Sequence, residues 1–175
     1  PAAGAEDAEA RAAQGKRGLA GLAKDQPPEL RRSRGNYLEE EPGDGKLACR
    51  FAGQGSQYID MGLDLAARYP IVAATFAEAD RVMLPELGRP LTDFIRRDPS
   101  MDEAAQFEAL RATEISQPAV LTVDIGILRL LSAYGVRPDM VAGHSLGEYP
   151  AALAAGMLSF AAALLPCSAR GRGRA

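Results

Sequence analysis

The sequence predicts an α/β fold built on a parallel sheet, and three observations predict it. A short apolar run beginning at Lys46, "KLACRF", empties into the glycine-rich "AGQGSQ" of residues 52–57. A second run, "DMVAG", leads into His144 and Ser145 and is followed by the small, helix-compatible "LGEYPAALAAGML". Between them lies a long stretch whose apolar residues recur at helical spacing. Strand, loop and helix, then strand, turn and helix, is the order in which parallel strands are joined by helical crossovers.

Residues 1–45 are rich in Ala, Gly and charge, hold "QPPELRRSRG" and "EEEPGDG", and show little apolar periodicity beyond a short helix near Leu19 and Leu22. They read as a linker, largely irregular. The strand near residues 47–51 opens the domain proper, residues 46–175. In "LDLAARYPIVAATFAEADRVM", residues 63–83, apolar groups fall three and four apart, and Pro70 separates two short amphipathic helices. After a Pro- and charge-rich stretch, "ISQPAVLTVDIGILRLLSAYG" predicts a long, largely buried helix with Val120, Val123, Ile127, Leu130 and Leu131 on one side and a stop at Gly135. The second strand is expected near residues 139–142.

Composition narrows the function. The 175 residues are 47% hydrophobic, and 20 Lys and Arg against 23 Asp and Glu leave a net charge of −3, so no basic field draws the chain onto nucleic acid. Asp124 and Arg129 interrupt the longest apolar run, and the polar N-terminal stretch lacks a signal-peptide core, so no membrane association is expected and the cytoplasm is the default compartment. Cys49 and Cys167 form no C-x-x-C, and His144 is the single histidine, so no metal site is expected.

Residues 143–147 read G-H-S-L-G. A G-x-S-x-G match carries weight when a strand enters the turn and a helix leaves it, and both flanks comply. Gly143 and Gly147 allow close backbone approach at a sharp turn that holds Ser145 above the sheet, while the following helix aims its N-terminal N–H groups at the serine. The alternative is a serine that merely caps a helix after a glycine turn.

The pair "GQGSQY" at 53–58 and "GHSLGEY" at 143–149, with "SQPA" at 116–119 between them, resembles the malonyl-CoA:acyl-carrier-protein transacylase family, and within it the acyltransferase domains of type I polyketide and polyunsaturated fatty acid synthases. "YGVRPDMVAGHSLGEY", "AAGMLSF" and "SARGR" extend the likeness over about residues 46–173. The resemblance implies an α/β-hydrolase-like large subdomain and makes Ser145 the nucleophile that takes an acyl group from coenzyme A. It gives the backbone N–H groups of Gln54 and Leu146 to the oxyanion, each such donor being worth about 3 to 4 kcal/mol, with Gly53 and Gly55 shaping the loop. Arg170 falls where the family grips the carboxylate of malonyl or methylmalonyl groups, a task suited to a planar guanidinium fork. The acceptor implied is the phosphopantetheine thiol of an acyl carrier protein, among neighbouring synthase domains.

Three departures bear on these expectations. Pro166 lies inside the helix that should carry Arg170, where proline costs about 3 kcal/mol or kinks the backbone. Pro150 sits early in the elbow helix, where disturbance is smaller. The family also has a ferredoxin-like small subdomain and a distant histidine that serves as general base. Residues 1–175 hold neither, and adjacent side chains diverge at such a turn, so His144 is expected beside the site rather than as its base. The polypeptide is therefore expected to be an incomplete large subdomain, inactive alone and with an exposed apolar edge. The rival readings are an α/β-hydrolase-type thioesterase or esterase, which shares the elbow, and a catalytically silent fragment that only docks within a megasynthase.

Overall fold

The computed structural model describes residues 45–172, with side chains to residue 169. The expected linker through residue 44 and the helix near Leu19 and Leu22 lie outside the described residues. Strand β1 (Ala48–Phe51) and strand β2 (Met140–Gly143) pair in parallel, with Ala48 opposite Met140 and Phe51 opposite Gly143. Asp139 fastens the start of the ladder: its Oδ2 accepts the Leu47 N–H at 2.8 Å, and the Leu47 carbonyl accepts the N–H of Asp139 at 2.8 Å. Side chains alternate across the pleat, so Phe51 is buried while Ala48 and Arg50 share the exposed side with Met140 and Ala142.

The crossover is all helical among the described residues. Helix α1 (Leu63–Arg68) and helix α2 (Pro70–Leu87) are the two expected amphipathic helices. Pro70 is the first residue of α2, where its fixed φ suits a helix start and its missing N–H is not needed. Helices α3 (Leu91–Ile95) and α4 (Glu103–Arg111) follow in the Pro- and charge-rich stretch, for which the sequence predicted no helix. Side-chain capping places both. The Asp80 carboxylate accepts the N–H and hydroxyl of Thr92 at the start of α3, and Asp102 caps α4 by accepting the Ala105 N–H at 3.1 Å.

Helix α5 (Thr113–Ala133) is the core of the molecule and ends before Gly135, as the sequence predicts. Its burial differs from the expected stripe. Residues Ile115 to Thr122 are buried on every side, with Ile125 and Gly126 following, whereas Ile127 and Leu131 are exposed. The predicted stripe has proper helical spacing, but neighbours cover the whole N-terminal half of the helix and leave part of its C-terminal half open. The helix is also long and apolar enough to cross a bilayer by composition, with mean hydropathy 1.3, yet 56% of that window is buried within the protein.

Beyond β2 comes a 3-10 turn (Ser145–Gly147), helix α6 (Glu148–Ala154), which packs on both strands, and helix α7 (Phe160–Arg172), which packs on α5. Pro166, expected to cost stability or kink the backbone, does not end the helix, and α7 runs through it. Proline removes one hydrogen bond there, but Ala163, Leu164 and Cys167 are all fully buried. Burying side chains of this kind returns about 1 to 3 kcal/mol each, enough to offset the loss. Pro150 falls in the first turn of α6, where no helical N–H bond is lost.

Candidate active site

Ser145 connects the strand to the helix in a conformation that few side chains adopt. Its φ is 56°, in the left-handed region, and its side chain is exposed at the end of β2. That backbone holds only if the chain on either side can crowd together. A Cβ on Gly143 would lie 1.9 Å from the Gly147 carbonyl oxygen, and a Cβ on Gly147 would lie 2.7 Å from the oxygen of Phe51 and 3.0 Å from that of Ala52. Both contacts are far inside van der Waals separation, so the first glycine closes the turn on itself and the second seats it against the end of β1. The turn is locked by the Gly147 N–H, which donates to the His144 carbonyl at 3.0 Å. Leu146 is fully buried and anchors the elbow in the core.

The second glycine loop sits alongside. A Cβ on Gly53 would come within 3.5 Å of the His144 carbonyl oxygen, so the loops bearing Gln54 and Ser145 meet at the same end of the sheet. The Gly53–Gly55 loop is cross-braced internally: Gln57 Oε1 accepts the Gly55 N–H at 2.8 Å, and the Ser56 hydroxyl donates to the Gly53 carbonyl at 2.9 Å. Its tie to the core is Gln54, whose amide nitrogen donates to Thr113 Oγ1 at 3.3 Å and Ser116 Oγ at 3.2 Å, and whose Oε1 accepts from Gln117 Nε2 at 3.0 Å. These bonds pin the side chain to the first turns of α5. Among the described residues, neither the Gln54 N–H nor the Leu146 N–H has a backbone acceptor outside its own helix or strand.

The "SQPA" stretch by itself gives no role to Ser116 or Gln117. Gln117 is buried with its Oε1 unpartnered, an acceptor held beside the loop that carries Gln54. Asp124, two turns further along α5 and half-buried, also has a buried oxygen without a partner, and burial pushes its carboxyl up from 3.8 to about 7. His144 is exposed and lines a recess with Arg50 and the end of β1. Arg170 lies on the described backbone of α7, and its side chain is outside the described residues. Among the described residues no three His, Cys, Asp or Glu side chains gather as metal ligands would. What the arrangement offers chemically is an exposed hydroxyl on a strained elbow, with the glycine loop that bears Gln54 adjoining it.

Residues 50–174 match the acyl transferase domain family. Over 122 residues the chain is 43% identical to polyketide synthase GfsB of Streptomyces halstedii, covering 70% of this chain and 2% of that protein. It is 40% identical over 126 residues to the malonyl CoA-acyl carrier protein transacylase of Bacillus subtilis, covering 72% of this chain and 36% of that one. Among solved structures, a malonyl-transacylase in complex with its type II polyketide acyl-carrier protein superposes with a TM-score of 0.63 at 38% identity, covering 73% of this chain and 38% of that chain. The chain thus spans less than two fifths of the length of these relatives.

Proposed function

Because the chain belongs to the acyl transferase domain family, we propose that it carries the nucleophile half of an acyltransferase that moves a malonyl group from malonyl-CoA to an acyl carrier protein. In this reading the Ser145 oxygen attacks the thioester carbonyl. The developing oxyanion is held by the N–H groups of Gln54 and Leu146, the C–S bond breaks, and the serine proton passes by way of a general base to the leaving thiolate. The phosphopantetheine thiol of the carrier protein then attacks the acyl-serine and restores the hydroxyl. Arg170, on α7, is the proposed grip for the malonyl carboxylate.

The observation that carries the reading is the left-handed Ser145 between two glycines that admit no Cβ, set against the loop that bears Gln54. Transacylases and polyketide synthases as relatives favour transfer over the hydrolase alternative, and they support a carrier-protein partner within a synthase. Residues 1–45 then serve as the linker that leads into the domain. Acyl transfer of this kind uses no bound cofactor, and the residues named need none. The test is to supply malonyl-CoA and holo-acyl carrier protein to an acyltransferase containing this chain and separate the products. Malonylated carrier protein, lost on Ser145→Ala, is expected; free malonate as the main product would establish a thioesterase instead.

A further inference from the structure

The recess beside the elbow has a volume of about 240 Å³ and is lined by Arg50, Phe51, Ala52, Gly53 and His144. It opens past the carboxyl ends of both strands, where open parallel sheets receive their ligands. Strand alternation brings its polar groups together. Arg50 is in register with Ala142, and His144, two residues later and still extended just past the end of β2, lines the same recess. Arg50 and His144 are both exposed, and among the described residues the Arg50 side chain makes no hydrogen bond or ion pair. Asp139, the acid of the same strand pair, is occupied at the opposite end by the Leu47 N–H. A guanidinium fork with no partner among the described residues therefore lines a recess that adjoins both the Gln54 loop and the nucleophile.

We propose that Arg50, with His144 beside it, forms an anion subsite that receives a phosphate group of the acyl-CoA thioester while the acyl carbon sits at Ser145. The proposal rests on the acyltransferase reading, in which the malonyl carboxylate belongs to Arg170. Arginine binds a phosphate through two parallel charge-assisted bonds. The recess is smaller than the roughly 300 to 1,000 Å³ of sites for drug-sized ligands. It thus suits one anionic group with its waters and leaves a nucleotide outside.

Equilibrium binding to the full 175-residue chain, carrying Ser145→Ala to prevent turnover, tests this with malonyl-CoA, acetyl-CoA and malonyl-pantetheine, which lacks phosphate. Arg50→Gln is expected to weaken malonyl-CoA binding by about ten- to a hundredfold, and Arg50→Lys to restore part of it, since lysine keeps the charge without the fork. The loss is expected to extend to acetyl-CoA and to spare malonyl-pantetheine. A loss that extends to malonyl-pantetheine and spares acetyl-CoA would put the acyl carboxylate at Arg50 and overturn the phosphate assignment. Unchanged affinity of Arg50→Gln for all three overturns the subsite alone. Failure of the Arg50-bearing chain to bind any of them overturns the subsite and the acyltransferase reading together.

Discussion

Replacing Ser145 with glycine is expected to stabilise the fold relative to replacing it with alanine, and the sign of that difference tests the elbow directly. Both substitutions delete the hydroxyl, and the position is exposed, so neither loses packing. What differs is the backbone. At φ 56° an L-residue carries a steric cost of about 1 to 2 kcal/mol that glycine does not. Glycine in turn loses about 0.5 to 1 kcal/mol through the greater freedom of its unfolded chain. The balance leaves Ser145→Gly more stable than Ser145→Ala by about 0.5 to 1 kcal/mol, whereas at an ordinary helical or extended φ the same comparison would favour alanine by about that amount. Urea denaturation of the two variants, with equal m-values to exclude a change in the denatured state, measures the difference. A Ser145→Gly variant less stable than Ser145→Ala would refute the strained elbow, and with it the reason Gly143 and Gly147 are required.

Further outcomes follow from the same geometry. Gly143→Ala places a methyl 1.9 Å from the Gly147 carbonyl oxygen, and is expected to cost about 1 to 3 kcal/mol in denaturation and to abolish acylation of Ser145 by opening the turn. Asp124 is raised from 3.8 to about 7 by burial, so between those values the folded chain holds a proton that the unfolded chain has lost, and stability falls as pH rises through that window and levels off above it. Asp124→Asn should remove that slope. At about 1.36 kcal/mol per pH unit the ceiling is about 4 kcal/mol, which solvent screening of a partly exposed carboxyl reduces to a gain of about 2 kcal/mol at pH 8, read from urea midpoints across pH. In an active acyltransferase containing this chain, Arg170→Ala should slow malonyl transfer by about tenfold or more while leaving acetyl transfer nearly unchanged; equal losses in a two-substrate assay would remove Arg170 from the carboxylate role.

The parts of the fold written in local sequence were the parts legible from it. Both strands announce themselves as apolar runs that end in glycine loops, and the break at Pro70 follows from one residue's fixed φ. Helices α3 and α4 were not legible, because their starts depend on Asp80 reaching Thr92 and on Asp102 turning back onto Ala105 amid charge and proline. Pro166 misled in the opposite direction: its local cost is real, but it is outweighed by burial that only the packed structure reveals. At the site, Ser145 and its glycines could be read from five consecutive residues. The pinning of Gln54 by Thr113, Ser116 and Gln117 could not, since those partners lie 59 to 63 residues away and meet it only when the loop is laid on α5. Arg50 was hidden for a similar reason: one arginine in an apolar run says nothing until the pleat assigns it a side and His144 lines the same recess.

The central claim is that Ser145 takes the acyl group, and trapping the acyl-enzyme tests it most directly. The 175-residue polypeptide, whose single histidine is His144, is incubated with malonyl-CoA with and without imidazole as a soluble proton acceptor, and the modified peptide is identified by mass spectrometry. Without imidazole acylation should be slow, because loss of the general base in such sites costs about 10⁴ to 10⁶ in rate while backbone donors sustain a residual reaction. With imidazole a single malonyl ester should accumulate on the peptide bearing Ser145, be absent in Ser145→Ala, and pass to the thiol of holo-acyl carrier protein. A malonyl group found on another residue, or the same labelling in Ser145→Ala, would contradict the account.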